Sequence, residues 1–261
     1  MHVRMGSGTR ASGHPGAAEA VTGRLRGRVA QAVVPAGQGI GPSPARRSLD
    51  VAVAVAILGL VWPLFLVLAV ATRLSTGGSA VYRHRRVGQG GIPFTLYKFR
   101  TMRAQTAGPE VTAPGDDRVT RLGALMRKTS IDELPQMVNV LLGHMTLVGP
   151  RPESVALAVR YPGEFQFVFR YRPGVTGPCQ VLARDEKVLG RASDVEDFYL
   201  TRLVSHRVDM DLAYLSDPTL ARTVRWLVIT LLYLVGTAKR RPSAAHPGLA
   251  GAAVLGEPAD D

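Results

Sequence analysis

The stretch from Val51 to Thr72 carries no charged residue over 22 positions and is bounded by Asp50 and Arg73. As a helix it would reach about 33 Å, enough to cross the hydrocarbon core of a bilayer. Pro63 stands near its middle, where it cannot donate to the carbonyl of Gly59, so the sequence predicts a bend there. Basic residues flank both sides, Arg46 and Arg47 before it and Arg73, Arg83, Arg85 and Arg86 after it. A simple span would put one of these clusters on the wrong side of the positive-inside rule. A helix that enters, bends at Pro63 and returns to the same leaflet removes that conflict. The flanks therefore favour a re-entrant helix over an ordinary span with a tolerated proline. A buried core helix is the weakest alternative, because such helices are usually shorter and more polar.

The 261-residue chain has room beyond this run for one medium domain, and its net charge of +12 favours an anionic partner: lipid headgroups, nucleic acid or a phosphorylated substrate. The sole cysteine, Cys179, excludes a disulfide framework and a Cys-built zinc site. Residues 1–47 contain no Phe, Tyr or Trp and are rich in Gly, Ala, Pro and Arg, so a disordered basic extension is expected there. A secretory signal fits poorly, because the first long apolar run begins only at Val51. The stretch 239–261 has the same character and is expected to be a disordered tail.

Between these ends, Ala80–Val87 and Ile92–Phe99 read as two short strands joined by a Gly88–Gly91 turn. Asp116 and Asp117 are expected to cap a helix through Val119, Leu122, Leu125 and Met126, and a second helix is expected from Ser130 to Leu142, stopping at Gly143. Asp194–Leu215 has helical character. Trp226–Val235 is apolar but short, which suits a core or interfacial helix.

The segment Arg127–Gln136 places Asp132 and Glu133 side by side after Ser130. The structural explanation is a capping box, with Glu133 reaching back to the Ser130 amide and Asp132 at the positive end of the helix dipole. The functional explanation starts from the surrounding cations: Arg118, Arg121, Arg127 and Lys128 upstream, Arg151 downstream. With a helix N-terminus these would form a phosphate pocket with Asp132 at its mouth, ionised and available as a nucleophile. A solvated or lipid-facing basic stripe is the competing account. Lys98 and Arg100 close the second strand and either end it in water or reach the same phosphate. No histidine pair has metal-ligand spacing, and no P-loop or dinucleotide fingerprint occurs.

Taken together, RRSLD at 46–50, RRVGQGGIPFTLYKFRTM at 85–102, the run from Asp116 to Glu153 ending in VGPRPE, and YRPGVTGPCQV at 171–181 resemble the bacterial sugar transferases, the monotopic polyprenyl-phosphate phosphoglycosyl transferases. The resemblance covers about residues 46–236. It implies an α+β, mainly helical fold with a short β-hairpin: a re-entrant anchoring helix over 48–73, bent at Pro63, and a catalytic domain over 74–238 on the cytoplasmic face of a bacterial inner membrane. It implies transfer of a sugar phosphate from a UDP-sugar to undecaprenyl phosphate with release of UMP, initiating exopolysaccharide or another cell-surface glycan. By resemblance Asp132 is the nucleophile and a ligand of Mg²⁺, Glu133 completes the dyad, Arg127 and Arg151 bind phosphate, and Lys98 and Arg100 match the family's KFR segment.

Three positions depart from the family pattern: Trp62 precedes the bend proline where Ser is frequent, His144 replaces a usual Asp, and Leu182–Val188 differs from a VxGR pattern. A non-catalytic basic membrane scaffold or regulator is the rival from another class. Nucleic-acid binding is disfavoured, since the apolar run demands a membrane and no nucleic-acid motif is present. A hexose is the preferred sugar, N-acetylated sugars remain compatible, and no oligomeric state is implied.

Overall fold

The computed structural model describes residues 39–104, 111–112, 115–182 and 195–236. The expected tails lie almost wholly outside the described residues, as does most of the divergent stretch after Val181. Helix α1 runs continuously over Pro44–Thr76, beginning ahead of Ser48 and ending beyond Arg73. Ser43 caps it by accepting from the Arg46 amide, Pro44 supplies a preset first turn, and Gly77 closes it in the left-handed conformation with φ 68°. Among the described residues it is the one helix long and apolar enough to cross a membrane, and 6% of its most apolar window is buried. Leu60, Trp62 and Leu66 point outward.

The hairpin forms as expected, β1 (Val81–Val87) pairing antiparallel with β2 (Pro93–Phe99) through a 3-10 turn at Gln89–Gly91. Alternation along β2 sends Phe94 and Leu96 into the core and carries Lys98 onto the same face. Phe99 faces the other way, against Phe65 of α1, with ring centroids 4.6 Å apart. Helix α2 spans Arg121–Thr129, capped by the Thr120 hydroxyl rather than by Asp116 or Asp117. Asp116 is instead paired with Arg118 at 2.6 Å within the preceding turn.

The expected helix from Ser130 breaks in two. Ser130 terminates α2 at φ 58°, the one non-glycine positive φ among the described residues, and its side chain does not cap the next turn. That turn is a single 3-10 turn, Ile131–Glu133, and α3 comes after it at Gln136–Leu141. The capping box is thus absent. Pro135, which has no amide to donate, stands at the junction as the N-cap of α3.

A feature the sequence reading lacked is a parallel pair of β3 (Thr146–Val148) and β4 (Gly174–Thr176). A Cβ at Gly174 would lie 2.1 Å from the Gly149 amide nitrogen, so the two backbones meet only because that residue is glycine. Short helices occur at Val155–Ala158 (α4) and Pro178–Leu182 (α5). The helical stretch expected to Leu215 is present as α6 (Val195–Phe198), a π turn at Tyr199–Leu203, and α7 (Val204–Leu215). Helix α8, Leu220–Leu234, starts earlier than Trp226 because Thr219 caps it.

Two apolar clusters result. One, around Leu157, Phe169, Leu203 and Val204, joins α4, the 3-10 segment Gly163–Arg170, α6 and α7. The other, around Ala54, Leu96, Val140, Met145 and Tyr214, ties α1 to β2, α3 and β3.

Candidate active site

A cavity of about 370 Å³ is lined by residues of β1, β2, α2, the Ile131–Glu133 turn, the loop after β3, the π turn, α7 and α8. Asp132, Glu133, Arg127, Arg151 and Lys98 all line it. The local backbone explains why Arg127 and Asp132 share one space. The left-handed Ser130 reverses the chain at the end of α2, so the last helical turn and the adjoining 3-10 turn face the same cavity. A serine at positive φ costs about 1–2 kcal/mol, and such strain characteristically sits at functional sites.

Arg127 is aimed by its Nε, which donates to the Thr101 hydroxyl at 2.8 Å. Thr101 is itself held against α2, its carbonyl accepting from the Thr120 amide at 3.0 Å. Asp132 is 6% exposed. Lys98, continuing the inward face of β2, has its amine pushed down to about 8 by removal from water and by the Arg86 and Arg127 charges, with Asp132 and Glu133 acting in opposition.

Arg100 does not join them. The strand ends at Phe99, so the alternation that points Lys98 inward stops; Arg100 Nε donates to the Ser79 carbonyl at 3.0 Å and its guanidinium stacks over Tyr82. Arg100, expected at the phosphate, thus lies outside the cavity lining. His144 lies outside the cavity lining, its ring 5.8 Å from that of Phe94.

Residues that sequence reasoning did not place in the site are also present. Arg86 lines the cavity because it pairs in register with Phe94 and shares the face of Lys98; its Nη1 donates to the Pro152 carbonyl at 3.2 Å. Glu153 closes the VGPRPE motif, is 3% exposed, and accepts a short hydrogen bond from the Tyr199 hydroxyl. Tyr199 and Arg207 arrive from the π turn and α7. Hairpin register was a usable signal for Arg86. Nothing in the sequence pattern marks the π turn.

Among the described residues no three His, Cys, Asp or Glu side chains converge into a metal cage. Mg²⁺ usually binds through one or two carboxylates and the phosphate oxygens of its substrate. Asp132 and Glu133, adjacent and opening onto a cation-lined cavity, fit that mode. The arrangement offers a carboxylate beside several cations of the kind that can hold phosphate, a constellation chemically suited to attack on phosphorus.

The family model described as bacterial sugar transferase matches residues 42–237. A UDP-glucose:undecaprenyl-phosphate glucose-1-phosphate transferase of Caulobacter vibrioides is 39% identical over 198 residues, covering 74% of this chain and 70% of the relative. A UDP-N-acetylgalactosamine-undecaprenyl-phosphate N-acetylgalactosaminephosphotransferase of Aeromonas hydrophila is 36% identical, covering 74% and 44%. The Escherichia coli UDP-glucose:undecaprenyl-phosphate glucose-1-phosphate transferase is 34% identical, covering 72% and 39%. The chain thus spans less than half the length of the latter two.

Proposed function

Since this chain belongs to the bacterial sugar transferase family, we propose that it transfers a sugar 1-phosphate from a UDP-sugar to undecaprenyl phosphate, releasing UMP and opening the assembly of a cell-surface glycan. The observation that carries the reading is the meeting of Asp132 and Glu133 with Lys98, Arg127 and Arg151 around one cavity.

In the proposed reaction an Asp132 carboxylate oxygen attacks the β-phosphorus of the UDP-sugar, forming an aspartyl phosphosugar. The bond from that phosphorus to the bridging oxygen breaks, and UMP leaves with the electron pair. A phosphate oxygen of undecaprenyl phosphate then attacks the same phosphorus and displaces the Asp132 carboxylate, giving the polyprenyl diphosphosugar. Lys98, Arg127 and Arg151 bind the phosphoryl oxygens and stabilise the charge gathering on them, each well-placed cation lowering the barrier by about 3 kcal/mol. Glu133 orients Asp132. Mg²⁺, when held by Asp132 and Glu133, would screen the carboxylates from the phosphates they approach.

We also infer that α1 dips into one leaflet, the cytoplasmic one of the inner membrane, and returns. Two docked ends support this. Arg46, Arg47 and Asp50 bind β3 and the end of α3, whereas Phe65 meets Phe99, Thr72 meets Met126 and the Thr76 carbonyl accepts from the Ala104 amide. A helix crossing about 30 Å of hydrocarbon could not keep both ends on a body lying on one side. The outward Leu60, Trp62 and Leu66 then face lipid.

The test is UMP release from a panel of UDP-glucose, UDP-galactose and their N-acetylated forms with undecaprenyl phosphate in detergent. Turnover with at least one donor, abolished in Asp132→Asn, is expected, together with a phosphosugar adduct on Asp132 by intact mass. Lipid association without turnover of any donor would overturn the reading in favour of a scaffold.

A further inference from the structure

Arg207 brings a guanidinium into the cavity from α7, beyond every motif that points to the family. Its Nη1 donates to the Tyr199 hydroxyl at 3.1 Å and its guanidinium sits 4.9 Å from the centre of that ring. The π turn makes this contact possible. In a regular helix residues eight apart diverge by about 80°, whereas one extra residue in the turn brings them close to the seven-residue repeat that shares a face.

Arg207 feels the negative charge of Glu153 but makes no direct contact with a carboxylate. Among the described residues it forms no ion pair, and its Nε is buried with no hydrogen-bond partner. Two carboxylates lie near it without forming an ion pair: Glu153 accepts from the Tyr199 hydroxyl, and Asp211, one turn further along α7, accepts from the Cys179 amide at 2.9 Å. Arg151 likewise has no ion pair among the described residues, and the Arg207 charge opposes its own. Cations outnumber carboxylates five to three in the cavity lining. Arg207 is half-buried with its Nε fully covered, while Arg151 is exposed, so both guanidiniums can meet an anion entering the cavity. An excess of two positive charges matches a phosphoryl dianion.

We propose that Arg207 is a phosphate-binding residue of this cavity, forming with Arg151 a guanidinium pair around a phosphoryl group of the substrates, with Tyr199 holding Arg207 in place. The proposal rests on the reading that the cavity takes phosphorylated substrates. Both the nucleotide diphosphate of the donor and the monophosphate of the polyprenyl acceptor carry the required chemistry.

The test uses the full chain in nanodiscs, with UDP and inorganic pyrophosphate as probes of direct binding and UMP release as a separate readout. Arg207→Gln is expected to weaken both probes by roughly tenfold or more, as loss of a charge-assisted contact does. Arg207→Lys, which keeps the charge but not the fork, is expected to fold and to lose a smaller factor. Wild-type affinity in Arg207→Gln overturns the proposal, even where Asp132→Asn abolishes turnover and upholds the transfer reading. Conversely, Arg207-dependent pyrophosphate binding in a wild-type chain that turns over no UDP-sugar upholds the proposal and overturns that reading. Should Arg207→Gln fail to fold, Arg207→Lys decides, and unchanged pyrophosphate affinity there overturns it. KM values separate the sources: a rise for UDP-sugar alone assigns the nucleotide phosphate, a rise for undecaprenyl phosphate alone the lipid phosphate, and a rise for both a shared subsite.

Discussion

Asp50, inside the apolar helix, accepts a 2.7 Å hydrogen bond from the hydroxyl of Thr146 on the strand that leads into Arg151. Its other carboxylate oxygen accepts from the Leu147 amide at 2.9 Å, Arg46 donates to the Val148 carbonyl at 3.0 Å, and both Nη atoms of Arg47 donate to the carbonyls of Val140 and Leu141 at the end of α3. The RRSLD motif is therefore a clamp between the apolar helix α1 and the backbone that carries Arg151 into the cavity.

Asp50→Ala would leave the Leu147 amide and the Thr146 hydroxyl buried without an acceptor, at about 1–3 kcal/mol each. A loss of about 3 kcal/mol is expected, read as a lowered Tm in detergent. Asp50→Asn, which keeps one carbonyl acceptor, is expected to cost less. Equal Tm in wild type and Asp50→Ala would contradict the clamp.

The KFRT segment divides its labour: Lys98 enters the cavity, Thr101 aims Arg127, and Arg100 faces away. Arg127→Gln is thus expected to reduce kcat/KM for the UDP-sugar by about a hundredfold, in line with about 3 kcal/mol for a cation at a phosphoryl group. Thr101→Val should give an intermediate loss, with Arg127 present but unaimed. Arg100→Gln should stay within a few fold of wild type. A loss in Arg100→Gln as deep as in Arg127→Gln would place Arg100 back at the phosphate.

Lys98, Arg127, Asp132 and Arg151 were legible because local motifs fix them, and the hairpin because alternation and a glycine turn specify it. Arg100 was misplaced because a strand end breaks the alternation that a motif string seems to continue. The capping box at Ser130 did not form because Ser130 takes the left-handed conformation that closes α2, its amide donating to the Arg127 and Met126 carbonyls. Tyr199 and Arg207 stayed invisible, since a π turn realigns side chains without a sequence signature and the hydrogen-bond partner of Tyr199, Glu153, lies 46 residues before it. The β3 and β4 pairing was equally hidden, as strands of three residues carry too few positions to show a period.

Gly123 offers a test whose sign separates local from tertiary physics. In an exposed helix Gly→Ala stabilises by about 1 kcal/mol. Here a Cβ at Gly123 would lie 2.1 Å from the Thr101 carbonyl oxygen, so α2 and the KFRT segment would have to separate. Gly123→Ala is expected to lower stability by about 1–3 kcal/mol, the usual cost of overpacking. Loss of Arg127 aim should lower kcat alongside. A stabilised variant would show that the close approach is dispensable.

With its amine pushed down to about 8, Lys98 is expected to set an alkaline limit on the proposed reaction. Because kcat/KM reports the free enzyme, it should fall as pH rises through about 8, where Lys98 loses the charge that meets phosphate. Stability runs the other way. Between about 8 and the ordinary lysine value the unfolded chain binds the proton and the folded chain does not, so the folded state gains relative stability as pH rises there and loses it as pH falls through the folded value. Activity lost with Tm held or raised across that window would thus identify titration of a binding group rather than unfolding. Lys98→Arg, charged throughout, should move the alkaline limb upward by at least a unit, and an unmoved limb would assign the titration to another group.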